Sequence, residues 1–275
     1  MTQSVVVSDR QSVIAVHGSA STGAQWGGLA DLLAKDFDVH TPDLPGYGKS
    51  HKLRVIGRPT LYGDAVQIAA RALQAPAPVH LIGHSYGAAV ALNYAIENPS
   101  DVASLTLIEP TLFHLLGSGH EHDAVHYSEI SAVANSVRSA CLKGAPADGM
   151  SRFIDYWNGG GTWEETKPYF QARLAGQAVE VSRNFTATFA ETWPAARCQR
   201  VECPTLIITG LDSPAPTRRV AEIVTTALPN VRHELIAGVG HMAPMTHPDV
   251  INPLIAEALD AASPSIGGAT VLEAA

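Results

Sequence analysis

Val79-His80-Leu81-Ile82-Gly83-His84-Ser85-Tyr86-Gly87-Ala88-Ala89 is the stretch that decides how this chain is read. An aliphatic, β-branched run ends abruptly in Gly-x-Ser-x-Gly, and a small-residue helical pattern follows at once. That order predicts a buried strand, a sharp turn carrying a serine, and then a helix. On such a turn the serine backbone is strained and its Oγ stands clear of the sheet. Gly83 and Gly87 lack Cβ atoms, so strand and helix can approach closely around it. The new helix also aims its free N–H groups and positive dipole end at the place where an oxyanion would form. The N–H of Tyr86 is thus one candidate oxyanion donor. A bare Gly-x-Ser-x-Gly is common and can mark an ordinary turn. Set between a strand and a helix, it makes Ser85 the candidate nucleophile.

Upstream, residues 12–17 (Ser12-Val13-Ile14-Ala15-Val16-His17) form a continuous apolar run ending in His17-Gly18-Ser19. Runs of this kind suit a central parallel strand buried on both faces. The loop that follows leaves the sheet at the same edge as Ser85, and the N–H of Ser19 is the second candidate oxyanion donor. The alternative is a plain βα loop that happens to hold a histidine. A helical period follows over Trp26–Lys35, then a strand at Phe37–Thr41 and the turn-rich Pro42-Asp43-Leu44-Pro45-Gly46-Tyr47-Gly48-Lys49-Ser50. Gly48-Lys49-Ser50 resembles the end of a phosphate-binding loop, but that motif needs a glycine where Asp43 stands. Asp43 is expected to cap the turn.

Further strand and helix patterns alternate through Tyr62–Leu73, the serine turn, a helix stopped at Asn98-Pro99, and the strand Ala103–Ile108 that ends in Glu109-Pro110. This alternation predicts an α/β fold, a mostly parallel sheet with helices on both faces. It breaks at Thr111. Residues 112–196 hold amphipathic stretches at Ile130–Leu142, Met150–Trp157, Trp163–Leu174 and Val179–Phe189 and no convincing strand. They read as a helical cap inserted between core segments 1–111 and 197–275, with Trp157, Trp163 and Trp193 mostly in its interior and one of them facing a pocket. The sheet pattern resumes at Pro204–Gly210, with a helix over Arg218–Leu228, a strand over Arg232–Ile236, the loop Ala237-Gly238-Val239-Gly240-His241-Met242, and a last helix from Asp249 to Ala262. Ser263–Ala275 is a small, polar tail expected to be loosely ordered.

Bulk properties narrow the function. The chain has 275 residues, 46% hydrophobic and 16% charged, so a sizeable core can form. Its formal charge of -8 and lack of a basic cluster argue against nucleic-acid or membrane-surface partners. No run approaches the ~20 apolar residues of a membrane span. The three cysteines, Cys141, Cys198 and Cys203, suggest free thiols rather than a disulfide framework. Met1–Val5 shows no basic segment leading into an apolar one, so no signal peptide and a cytoplasmic location are expected. His120, His122 and His126 invite a metal reading, but without a carboxylate–histidine pattern they read as a solvated loop.

Taken together, His17-Gly18, Asp43–Ser50, Gly83–Gly87, Pro204–Gly210 and Gly238–His241 resemble the α/β-hydrolase superfamily over essentially the whole chain. That resemblance implies the order nucleophile, acid, histidine, with Ser85 as nucleophile and His241 as base. His241 also lies in a glycine-flanked loop after the last strand, at the edge where Ser85 must sit. The acid departs from the commonest pattern. The usual offset, about three residues beyond the glycine ending the penultimate strand, lands on Ser213, with Asp212 one position earlier. Some members take the acid from the end of the strand after the serine turn, which here is Glu109. A carboxylate there can hold the imidazole tautomer, so Glu109 is preferred and Asp212 is the alternative. Either could instead be structural, Glu109 capping the cap hinge beside Pro110 and Asp212 an ordinary turn residue.

A serine rather than a carboxylate nucleophile separates this chain from haloalkane dehalogenases and epoxide hydrolases, which the layout resembles. It implies hydrolysis of a small carboxylic ester, thioester or lactone with an apolar part, through an acyl-enzyme and with no cofactor or metal. Carbon–carbon bond hydrolysis of diketone-like ring-cleavage products is a second reading. A non-catalytic, ligand-binding hydrolase fold is a third, from a different class. Nothing in these residues names the substrate or the oligomeric state.

Overall fold

In a computed structural model, residues 10–53, 57–75, 78–117 and 121–263 are described. Readings that concern Met1–Val5, Pro76-Ala77, His120 and the tail from 264 onward lie outside them. Six strands form one sheet: β1 Ser12–Val16, β2 Asp38–His40, β3 Val79–His84, β4 Val102–Ile108, β5 Thr205–Gly210 and β6 Val231–Ile236. Their order is β2-β1-β3-β4-β5-β6. Every neighbouring pair is parallel.

Along each central strand, alternate side chains feed two separate cores, as the two-residue period of a strand requires. Ile14, Val16, Leu81, Leu105, Leu107 and Ile207 belong to one. There they pack with helices α3 (Val66–Ala72), α4 (Tyr86–Glu97) and α10 (Ala215–Ala227), with the short α2 (Leu61–Asp64) beside α4. Val13, Ala15, Ile82, Ile108, Leu206 and Ile208 belong to the other, under α1 (Gly27–Leu33), the short α11 (Ala243–Thr246) and α12 (Pro248–Ala262). The predicted parallel sheet with helices on both faces is therefore the fold.

The chain leaves β1 toward β2 on one side and leaves β3 toward β4 on the other. This reversal opens a crevice between the carboxyl ends of β1 and β3, the place where ligands bind in open α/β sheets. Ser19 follows β1 and Ser85 follows β3, so both line that crevice.

After β4 comes the helical insertion: α5 (Glu121–Leu142), α6 (Pro146–Asn158), α7 (Thr162–Glu165), α8 (Pro168–Ala175) and α9 (Ala178–Ala190). Two expectations need correction. The stretch Trp163–Leu174 forms two helices because Pro168 cannot continue the first and instead occupies the first turn of the second. The region of His122 and His126 is not a loop but the start of α5, with acidic Glu121 and Asp123 in its first turn. Among the described residues, no group of three or more His, Cys, Asp or Glu is placed to hold a metal ion, and no helix is long and apolar enough to cross a membrane. Ile130 and Val137 of α5, Met150 and Phe153 of α6, and Val181 and Phe185 of α9 join the same hydrophobic core as α4.

Candidate active site

Ser85 sits between β3 and α4 with φ 55° and ψ -118°. Its N–H stays tied to the sheet, donating to the carbonyl of Ile108 at 2.8 Å. Among the described residues the non-glycine positive-φ positions are Ala20, Ser85 and Glu109, all beside this crevice. Such conformations cost on the order of 1–3 kcal/mol each and persist only where the surroundings over-determine them. The surroundings here are the flanking glycines. A Cβ on Gly83 would lie 2.5 Å from the Ala88 Cα, and one on Gly87 would lie 2.4 Å from the carbonyl oxygens of Val16 and His17. Neither position admits a side chain.

The Ser85 hydroxyl donates to Nε2 of His241 at 2.9 Å. On the other edge of the ring, Nδ1 faces Oε2 of Glu109 at 3.4 Å. That contact is long for a hydrogen bond, and such bonds tighten when a site is occupied. Glu109 is fully buried. Its second oxygen is held firmly, accepting the N–H of Gly210 at 2.6 Å and the hydroxyl of Ser213 at 2.7 Å. The structure thus joins Ser85, His241 and Glu109 in one chain of polar contacts. It leaves Asp212 outside: that residue is exposed, and its N–H is used by the carbonyl of Val239.

Two buried histidines brace the loops around this chain. A carbonyl can only accept, so His84 Nε2 donates to the backbone oxygen of His241 at 2.8 Å, and its Nδ1 accepts from Gln25 at 3.1 Å. His17 likewise donates from Nδ1 to the Gly18 carbonyl at 2.7 Å and accepts the Leu44 N–H at Nε2 at 2.9 Å. Burial pushes His84 down to about 3 and His17 to about 4, so both are neutral at neutral pH. His17 therefore fastens the β1 loop to the turn-rich loop after β2. Asp43 caps that turn as expected, accepting the N–H groups of Gly23 and Lys49, both at 2.7 Å.

Ser19 and Tyr86 both line a small cavity next to Ser85. Tyr86 opens α4, so its N–H has no partner within the helix. Two cap residues complete the site: Asn184, which the sequence did not single out, and Trp157. Asn184 on α9 accepts the Ser19 hydroxyl at 2.9 Å and the Tyr47 hydroxyl at 2.5 Å, so the cap is tied to both loops. Trp157 on α6 stacks on the imidazole of His241, with ring centroids 3.9 Å apart and planes 28° from parallel. It is the cap tryptophan that reaches the site, as the sequence anticipated for one of the three.

The lining is largely apolar and falls into two parts. An inner recess of about 20 Å³ is bounded by Phe113, Phe153, Phe185 and Thr188. An outer cavity of about 220 Å³ is lined by Ser85 and His241 together with Ile154, Trp157, Arg173 and Met242.

The sequence profile of the alpha/beta hydrolase family matches residues 13–254. The chain belongs to that family. The alpha/beta hydrolase assignment places it among proteins with varied names. A pimeloyl-[acyl-carrier protein] methyl ester esterase of Methylococcus capsulatus is 38% identical over 96 residues, 35% of each chain. The Chromobacterium violaceum protein of the same name is 32% identical over 142 residues, 52% of this chain and 51% of that one. The matches thus span about a third to a half of these relatives. Among solved structures, a hydrolase from Oleispira antarctica superposes with a TM-score of 0.71 at 20% identity, covering 92% of each chain. A thermophilic esterase from Thermogutta terrifontis does so with a TM-score of 0.68 at 21% identity, over 93% and 92% of the two chains. At these identities the superpositions speak for the fold.

Proposed function

We propose that this alpha/beta hydrolase cleaves a small carboxylic ester through an acyl-enzyme, with Ser85 as nucleophile, His241 as base and Glu109 as the acid that orients it. The observation that carries this reading is the 2.9 Å contact from Ser85 Oγ to His241 Nε2, with Glu109 on the far side of the same ring. His241 takes the hydroxyl proton as Ser85 attacks the ester carbonyl. The N–H groups of Ser19 and Tyr86 hold the resulting oxyanion, and the dipole of α4 adds to their field. The imidazolium then protonates the leaving alcohol, and water repeats the sequence on the acyl-enzyme. Glu109 holds the Nδ1 proton in place and stabilises the imidazolium that forms.

The size of the inner recess, about 20 Å³, favours a small acyl group. The ester-hydrolase names among the curated relatives support ester cleavage, not an acyl size. A reducing, cytoplasmic setting agrees with three free cysteines, of which Cys198 and Cys203 have thiols that burial raises to about 12 and about 11.

The test is hydrolysis of p-nitrophenyl acetate by the wild-type chain and by Ser85→Ala. Turnover by the wild type that falls by about 10³-fold or more in the variant is expected. Wild-type turnover that survives in Ser85→Ala, or its absence on acetyl and longer acyl esters alike, would overturn the reading.

A further inference from the structure

The outer cavity contains one charged side chain, and it is a cation. Arg173, near the end of α8, lines the same space as Ser85 and His241, and no aspartate or glutamate lines that space. Arg173 makes no ion pair with any described residue. Its guanidinium carbon instead rests 5.9 Å from the centre of the Phe170 ring, which steadies it without neutralising it.

The helix that carries it is held in place. Gln171 donates to the carbonyl of Trp163 at 2.7 Å, and the Trp163 N–H donates to Asp155 of α6 at 2.7 Å. Through these two bonds α8 is tied to the helix that carries Trp157. The Arg173 side chain, itself exposed, thus borders the cavity that holds Ser85 from a helix tied to the rest of the cap.

We infer that Arg173 receives an anionic group on the substrate. Resting on the ester-hydrolase reading, this narrows the substrate to a small acyl ester whose alcohol part carries a carboxylate or phosphate. The acyl part is assigned to the inner recess because only a small group fits there. The alcohol part is left to the outer cavity, which is about ten times larger (220 against 20 Å³). A guanidinium meets a carboxylate or phosphate with two parallel N–H donors, which selects for such oxyanions and against neutral isosteres.

The experiment compares 4-acetoxybenzoate with its neutral isostere 4-acetoxybenzamide in the wild type, Arg173→Gln, Arg173→Lys and Arg173→Glu. The expected quantity is the ratio of kcat/KM for the anion to that for the amide. It should fall about ten- to a hundredfold in Arg173→Gln, fall less in Arg173→Lys, and invert in Arg173→Glu. The change should sit in KM, and the wild-type preference should weaken as salt is raised. A ratio equal in wild type and Arg173→Gln overturns the inference. A parallel comparison of methyl hydrogen glutarate with dimethyl glutarate puts the anion on the acyl side. An Arg173-dependent preference confined to that pair overturns the assignment to the alcohol part. Titration of both acetoxy ligands into Ser85→Ala protein reads binding without turnover. Arg173-dependent binding of the anion by a chain whose wild type hydrolyses neither ester would overturn the hydrolase reading and keep the anion site.

Discussion

Ser213 donates its hydroxyl to Oε1 of Glu109 at 2.7 Å, across 104 positions of sequence. In many alpha/beta hydrolases the acid itself stands where Ser213 stands. In the triad proposed here the acid is Glu109 at the end of β4, and Ser213 at the commoner position gives it a neutral donor. Replacing Glu109 with Gln keeps the shape but removes the charge that orients His241. We expect ester kcat/KM to fall about 10³- to 10⁴-fold, and Asp212→Asn to stay within about twofold of wild type. A larger loss in Asp212→Asn than in Glu109→Gln would move the acid to Asp212.

Because Ser213 lies at the commoner position, the double change Glu109→Gln with Ser213→Asp should recover part of the lost activity. Ser213→Asp alone sets a second carboxylate against the first and should raise the pH at which the site becomes active. A pH–rate profile of the three variants decides this, and a double variant no better than Glu109→Gln would refute it.

Trp157 caps the imidazole of His241 from the cap side. In the proposed mechanism the indole face would stabilise the imidazolium formed as Ser85 attacks, by about 0.5–2 kcal/mol. Trp157→Phe should preserve most of kcat, whereas Trp157→Leu should lower it several-fold while the melting temperature falls only modestly. Equal kcat in the Phe and Leu variants would show the ring to be packing alone.

Acid should unfold this protein early. Burial holds His17 and His80 at about 4 and His84 at about 3, below the ordinary 6.5. The unfolded chain therefore binds these protons first. Stability is full above 6.5 and is lost progressively as pH falls from there toward the folded values. The urea midpoint should drop clearly between about pH 7.5 and about pH 4.5. A flat midpoint over that range would contradict the neutral, buried assignment.

Glycine substitutions should separate sharply by place. Gly83→Ala drives a Cβ to 2.5 Å from backbone and should prevent soluble expression. Gly27 begins α1 with φ -53° and ψ -50°, and an added Cβ there meets nothing within 4 Å. Gly27→Ala should raise stability by about 0.4–1 kcal/mol in denaturant unfolding.

The parts of this site that were legible in the sequence are those fixed by local chain geometry. Ser85 and Glu109 directly follow strands β3 and β4, and His241 lies in the glycine-flanked loop after β6, so all three are placed by strand ends and turns that the apolar runs, glycines and prolines mark. Asn184 was not legible as a site residue, nor was it legible which of the three cap tryptophans reaches the site, since their partners lie far away in sequence and an amphipathic helix shows only that one face is covered. Nothing in its period says whether that face meets core or reacting groups. The early start of α5 was hidden because its first turn, Glu121-His122-Asp123, is polar and carries no apolar period. The split at Pro168 is marked by the proline alone, while the apolar period runs on across it.

The hydrophobic core beneath α4 runs without a break into α5, α6 and α9. The cap is therefore not a lid that could be excised or transplanted. A foreign insertion would have to supply its own underside to Phe113 and Leu116, a partner for Ser19 in place of Asn184, and an aromatic face for His241. New specificity in this chain is reached with least disruption by single substitutions on the inward faces of α6, α8 and α9, where the scaffold is already complete.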